Sequence, residues 1–229
     1  MNKNLIVPVA KNSESNEFPY VFGFNKEGLM LCVKSIMGLE LSQFSNIYFV
    51  ILKKHDELFN IKTLLEIQFK QCGLKNGKVI VLEYPTKNQP ETVYQAIKQE
   101  KIEDAIFIKD ADGYFKCELL DGNGLAVYSL EEYDSFVNLR NKSFVYVDDN
   151  FYITNVIEKK IIGKYINVGG YFFENAKQFC EYYERIGSQD GLYLSHIVYA
   201  MLLDKISFRP IETTDFEDWE VKEIISKKN

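Results

Sequence analysis

Short apolar runs of strand length recur along the first two thirds of the chain, separated by segments with helical spacing, and few folds accommodate that alternation. The runs are residues 5–10, 47–52, 79–82, 105–108 and 143–147. Leu29, Val33, Ile36 and Met37 predict a helix over 27–39. Leu64, Leu65, Ile67 and Phe69 predict another over 61–72, ending near Gly73 and Gly77, and residues 92–100 give a weaker third. Strand, helix, strand in this order is the βαβ pattern of a mostly parallel, Rossmann-like sheet with helices on both faces.

The pattern changes after Asp112. Asp121-Gly122-Asn123-Gly124 is a turn cluster, and residues 144–147 joined to 151–153 through Asp148-Asp149-Asn150 predict a β-hairpin. A strand over 166–173 and helices over 176–186 and 193–204 complete the chain. The expected architecture is α/β with a C-terminal mixed hairpin and helix elaboration. No repeat, low-complexity tract or linker divides it, so residues 1–229 read as a single domain with two halves, 1–112 and 113–229.

Composition narrows the function. A net charge of −6 disfavours a nucleic-acid partner, which selects a basic face. Cys32, Cys72, Cys117 and Cys180 have no Cys-x-x-Cys spacing, and His55 and His196 are far apart, so zinc and disulfide frameworks are not expected. The apolar run at 5–10 is too short for a secretion signal, and nothing approaches the roughly 20 apolar residues of a membrane span. A soluble, cytoplasmic protein without a membrane span is expected. The aromatic content is compatible with a homo-oligomer but locates no self-association patch.

Four segments carry chemistry. Ile106-Phe107-Ile108-Lys109-Asp110-Ala111-Asp112 is an apolar strand ending on two aspartates, the place where an open α/β sheet presents a divalent ion to a bound phosphate. Its plain alternative is a strand-to-loop junction, where Asp serves turns. Glu158-Lys159, followed by Asn167-Val168-Gly169-Gly170, offers a carboxylate for hydroxyl groups, a cation for phosphate and glycines that allow close approach. A solvated strand end with a glycine bulge explains the same residues. In the loop before residues 92–100, Thr86, Asn88 and Gln89 can read a base edge, with Thr92 expected to cap the helix. Asp218, within Asp215-Phe216-Glu217-Asp218-Trp219, is either a second metal carboxylate beside Asp110 or part of an acidic tail.

Taken in order, these segments resemble the sugar-1-phosphate nucleotidylyltransferases, especially the shorter members associated with capsule and surface-polysaccharide synthesis, from Leu5 to about Ile224. The resemblance implies a nucleoside triphosphate held in the first half by Val9, Ala10, Lys11, Thr86, Asn88, Gln89, Lys109 and Asp110. It implies a phosphorylated sugar or polyol held in the second half by Glu158, Lys159, Asn167, Gly169 and Gly170, with Asp112 assisting. Magnesium is implied on Asp110 and Asp218, with Lys11, Asp110 and Lys159 as the catalytic residues. The chain departs from the family pattern at the front. The glycine-rich loop with its arginine is absent after the first strand, Pro19-Tyr20 stands where Pro-Lys is usual, and Lys11 and Lys26 are the replacement cations. Asn88 stands for a glycine in the base-reading loop, and Glu220-Val221 for Gly-Thr after Trp219. Two further readings stay open: a nucleotide-sugar-dependent glycosyltransferase using Asp110-x-Asp112, and a non-catalytic relative.

Overall fold

Leu5 and Val7 face one apolar cluster and Ile6 faces another, and the central strands all divide their side chains in this way. Successive strand residues point to opposite faces, so an uninterrupted apolar run is what a sheet covered on both sides requires. In the computed structural model, which describes residues 2–10, 17–132 and 139–219, these runs become β1 (Lys3–Pro8), β2 (Asn46–Leu52), β3 (Gly77–Leu82) and β4 (Ala105–Lys109). They pair in parallel in the order β3-β2-β1-β4. The second half adds β5 (Gly113–Cys117), β6 (Gly124–Ser129), β7 (Ser143–Val147), β8 (Ile153–Glu158), β9 (Tyr165–Phe173) and β10 (Arg209–Asp218). The sheet continues β4-β9-β6-β10-β5, with β7 and β8 branching from β9; β5, β8 and β9 run against the other strands.

One face of the sheet is covered by α4 (Gln89–Glu100), α5 (Ala176–Ile186) and α6 (Leu194–Leu203), through Val93, Ala96, Phe179, Ile197 and Met201 among others. The other face carries α1 (Leu31–Lys34) and α3 (Ile61–Gln71), through Val33, Leu65 and Phe69. A short α2 (Lys53–Phe59) follows β2 directly. The α/β sheet with helices on both faces and a hairpin-rich second half is thus the observed architecture. Among the described residues, no helix is long and apolar enough to cross a membrane.

Several local expectations are corrected. The helix expected over 27–39 shrinks to α1. Gly28 enters it at φ +78°, and beyond Lys34 the bonds tighten to Ile36 N to Val33 O and Met37 N to Lys34 O, a series of turns. The hairpin is present, but its second strand starts at Ile153, because Asp148 Oδ1 accepts from the amides of Asn150 and Tyr152 and lengthens the turn. The acidic segment 215–219 is no tail: residues 215–218 form the end of β10, and Glu217 and Asp218 pair with β5.

β5 is held in place from outside the sheet by the turns after α1. A Cβ on Gly38 would lie 2.0 Å from the carbonyl oxygen of Phe115, so only glycine permits this approach. Gly38→Ala is therefore expected to destabilise the protein by about 3 kcal/mol, the upper end of overpacking penalties, measured by urea unfolding. A variant within about 0.5 kcal/mol of wild type would show that the two segments are not locked together.

Candidate active site

β4 ends on Lys109, whose side chain shares the face of Phe107 and is fully buried. Its Nζ donates to the carbonyl oxygens of Asp110 (2.7 Å) and Gly113 (2.9 Å) and lies 4.5 Å from the centre of the Phe115 ring. Lys109, expected on the nucleotide, is placed with its ammonium engaged by these internal groups. It ties the chain on both sides of Asp110-Ala111-Asp112 and so fixes the aspartate loop.

Asp110 is seated by the neighbouring strand. Its amide donates to Gly169 O at 2.8 Å, and a Cβ on Gly169, which has φ +82°, would fall 2.6 Å from the Asp110 side chain. The paired glycines are needed for this packing: a Cβ on Gly170 would meet Ala126, Phe115 and Phe107 within 3.0 Å. Asn167, expected at the acceptor, braces this bend. Its Oδ1 accepts from Gly169 N, and its Nδ2 donates to Gly170 O.

Asp218 arrives from the opposite end of the sequence. β10 runs beside β6 as far as Glu212, then shifts register around Asp215, which is left-handed at φ 53°, and continues against β5. The shift sets Asp218 opposite Gly113, and Trp219 N donates to Asp112 O at 3.1 Å. The buried Asp218 carboxylate meets Lys142 Nζ at 2.9 Å. Asp110, Asp112 and Asp218 therefore share one corner of the sheet.

The open end of the β7–β8 hairpin supplies the other side of the site. Ser143 and Glu158 face each other there, and Ser143 Oγ and Ser195 Oγ (2.8 Å) both donate to Glu158 Oε2. Lys159, left-handed at φ 56°, donates its amide to Lys142 O and its Nζ to Tyr193 Oη at 2.7 Å. The buried Tyr171 joins the two sides. Burial first, then the charges of Asp110, Glu158 and Asp112, hold its hydroxyl well above the usual tyrosine range, while a hydrogen bond with Ser143 pulls it down.

The loop expected to read a base is only partly directed at this site. Asn88 caps α4, accepting from Glu91 N at 3.0 Å, while Glu91 Oε2 accepts from Lys87 N. Thr92, the expected cap, lies within the helix and bonds Thr86, hydroxyl to hydroxyl at 2.6 Å. Asn88 and Thr86 thus stabilise the loop itself. Gln89 reaches the site, its Nε2 donating to Asp110 Oδ1 at 2.5 Å. Val9 and Ala10 are buried at the end of β1, Lys26 is exposed in a turn, and Lys11 lies outside the described residues. Lys142, Ser143, Tyr171, Tyr193 and Ser195 were missed by the sequence reading. Lys142, directly before an apolar strand, looks in sequence like any solvated strand end.

No family model matches the sequence, and no curated protein matches it. Solved structures do. A nucleoside-diphosphate-sugar pyrophosphorylase from Vibrio cholerae superimposes with a TM-score of 0.73 at 16% identity, covering 91% of each chain. The inositol-1-phosphate CTP transferase of T. maritima gives 0.72 at 13% identity, covering 95% of this chain and 89% of its own. A Bacillus anthracis protein assigned as a glucose-1-phosphate thymidylyltransferase gives 0.68 at 14%, with the same coverage. The fold is that of the sugar-phosphate nucleotidyltransferases.

Within this nucleotidyltransferase fold the aspartate corner is electrostatically tense. Burial first and the adjacent Asp112 second push Asp110 up to about 6, against the pull of Lys109, Gln89 and Lys142. Burial likewise brings Lys109 down to about 8, opposed by Asp110 and Asp112. Among the described residues, no cluster of three or more His, Cys, Asp or Glu side chains forms a ready-made metal cage. The arrangement suits an ion held by one or two carboxylates and completed by ligand phosphates.

Because Asp110 is raised on folding, the stability contributed by its protonated form is present below its unfolded pKa and lost as pH rises through about 6. Asp112→Asn removes a neighbouring negative charge and is expected to lower the Asp110 midpoint. Carboxyl carbon NMR of the metal-free protein reads this directly; an unchanged midpoint would place Asp112 outside electrostatic reach.

Proposed function

We propose that this protein transfers a nucleotidyl group from a nucleoside triphosphate to a phosphorylated sugar or polyol, with magnesium, and that the product is an activated precursor for surface polysaccharide. The observation that carries the reading is the register that sets Asp218 opposite Gly113 and Trp219 against Asp112, bringing the end of the last strand beside the Asp110-Ala111-Asp112 loop. In the proposed reaction a phosphate oxygen of the acceptor attacks the α-phosphorus in line, the bond to the β-phosphate breaks, and pyrophosphate leaves with the electron pair.

The donor set fits magnesium, which takes hard oxygen ligands, and Asp110 and Asp218 are the residues that would hold it. When bound, the ion supplies charge neutralisation to the phosphates. The chain's own residues orient the reactants. Gln89 and the Gly169 backbone hold Asp110 in place. Glu158, fixed by two serine hydroxyls, is positioned to accept hydrogen bonds from acceptor hydroxyl groups. Lys159 is held at the edge by Tyr193 and would leave that phenol for the acceptor phosphate. The neighbouring solved structures support a triphosphate and a sugar phosphate as the substrate classes, one of them being named for inositol-1-phosphate and CTP.

The test is pyrophosphate release from each common nucleoside triphosphate with a panel of hexose, heptose and polyol phosphates, with and without magnesium. One triphosphate and one acceptor class are expected to react, and Asp110→Ala should lower turnover about a thousandfold with the fold intact. Lys159→Ala should raise the acceptor KM about tenfold with kcat nearly unchanged, the loss of one charge-assisted hydrogen bond. Sugar transfer from a nucleotide-sugar, without pyrophosphate release from any pair, would replace the reading by glycosyl transfer. Absence of both activities would favour a non-catalytic relative.

A further inference from the structure

We propose that Lys142 is a resident cation of the carboxylate corner, occupying Asp218 in the ligand-free protein so that a divalent ion gains Asp218 only when Lys142 is drawn away. The inference rests on the preceding assignment of the corner as a metal and phosphate site. Lys142 comes from the segment between residues 139–141 and β7, and its side chain is only 16% exposed. Its ammonium reaches Asp218 Oδ2 at 2.9 Å, while the Asp218 side chain is 1% exposed. The Phe216 ring lies 5.9 Å from Nζ, so one flank of the ammonium is apolar.

A lysine in this position is costly to desolvate and repays that cost only by neutralising a carboxylate that would otherwise be buried and charged. It therefore does in the ligand-free protein what a metal ion would do. Its backbone adds a second connection: Lys142 O accepts the amide of Lys159, the residue proposed to meet the acceptor phosphate. The flexible four-carbon stem lets the ammonium swing from Asp218 to an incoming phosphate without moving the strand. The exchange balances charge. The ammonium passes from a carboxylate to a phosphate, and the vacated carboxylate takes the divalent ion that enters with the nucleotide. Metal affinity is then low without nucleotide and high with it.

The test is Mn2+ binding to the substrate-free protein by electron paramagnetic resonance, comparing wild type, Lys142→Gln and the Lys142→Gln/Asp218→Asn double variant. Lys142→Gln is expected to bind Mn2+ at least about tenfold more tightly than wild type, because a positive charge leaves the corner and Asp218 becomes available. The gain should vanish in the double variant, which has no carboxylate to release. Equal affinity in wild type and Lys142→Gln would overturn the proposal, as would a gain that survives loss of Asp218. Should Lys142→Gln be unfolded without metal, its circular dichroism is expected to recover with Mn2+ and not with Na+ at matched ionic strength; no recovery overturns the proposal equally. Nucleotidyl transfer is not needed for any of these readouts. An inactive protein that shows the Mn2+ gain would lose the reaction assigned above but keep the resident lysine.

Discussion

The buried ammonium of Lys109 is the contact on which the aspartate corner depends. β4 must stop, turn through Asp110-Ala111-Asp112 and leave as β5 for a partner at the far end of the sheet. Such a turn leaves carbonyl groups facing the interior, and unmet buried carbonyls are costly. Lys109 meets two of them, those of Asp110 and Gly113, and its charge is offset by the Phe115 ring and by Asp110 and Asp112. Burial of this lysine and burial of the neighbouring aspartate are therefore one arrangement: each lowers the cost of the other. The glycine pair on β9 completes it, since any side chain at residue 169 or 170 would take the space that Asp110 and the aromatic rings fill.

How much of this was legible in sequence follows from where the residues face. β1, β2 and β4 were readable because they are covered on both sides and so are largely apolar, and β3, at the sheet edge, because residues 79–82 are an apolar run. β10 was not, because its burial is irregular along Arg209–Asp218 and its register shifts at a left-handed aspartate, which erases the period-two pattern. β5 and β6 are short and begin at glycines, and the sequence reading saw only the turn cluster 121–124 between them. The aspartates and the Glu-Lys pair were found because charge at the end of an apolar strand is visible in one dimension. Lys109 was seen too, but its face was not: sequence places a charge beside a site without saying whether it points into solvent or into the protein. Asn167 and Asn88 show the same ambiguity, both having polar ends that suit a ligand and both being engaged by the backbone instead.

Identity of 13–16% with solved structures of this fold leaves little sequence for a profile to detect, yet the fold superimposes over 91–95% of this chain. What the three-dimensional comparison detects is the path of the backbone through the sheet and its helices, which is why it succeeds where sequence comparisons do not.

Besides the buried Lys109, two cations of this corner come from the second half of the chain. Residues 11–20 contain neither arginine nor the Pro-Lys pair. Lys142 and Lys159, joined through one backbone hydrogen bond at the open end of the β7–β8 hairpin, bring two ammonium groups to the site from the second half of the chain. Both are held on protein partners, a buried carboxylate and a phenol, whose grip a doubly or triply charged phosphate can exceed. Under the function proposed above, the two lysines would pass from these partners to ligand phosphates, and the acceptor and metal sides would be tied together through a single strand end.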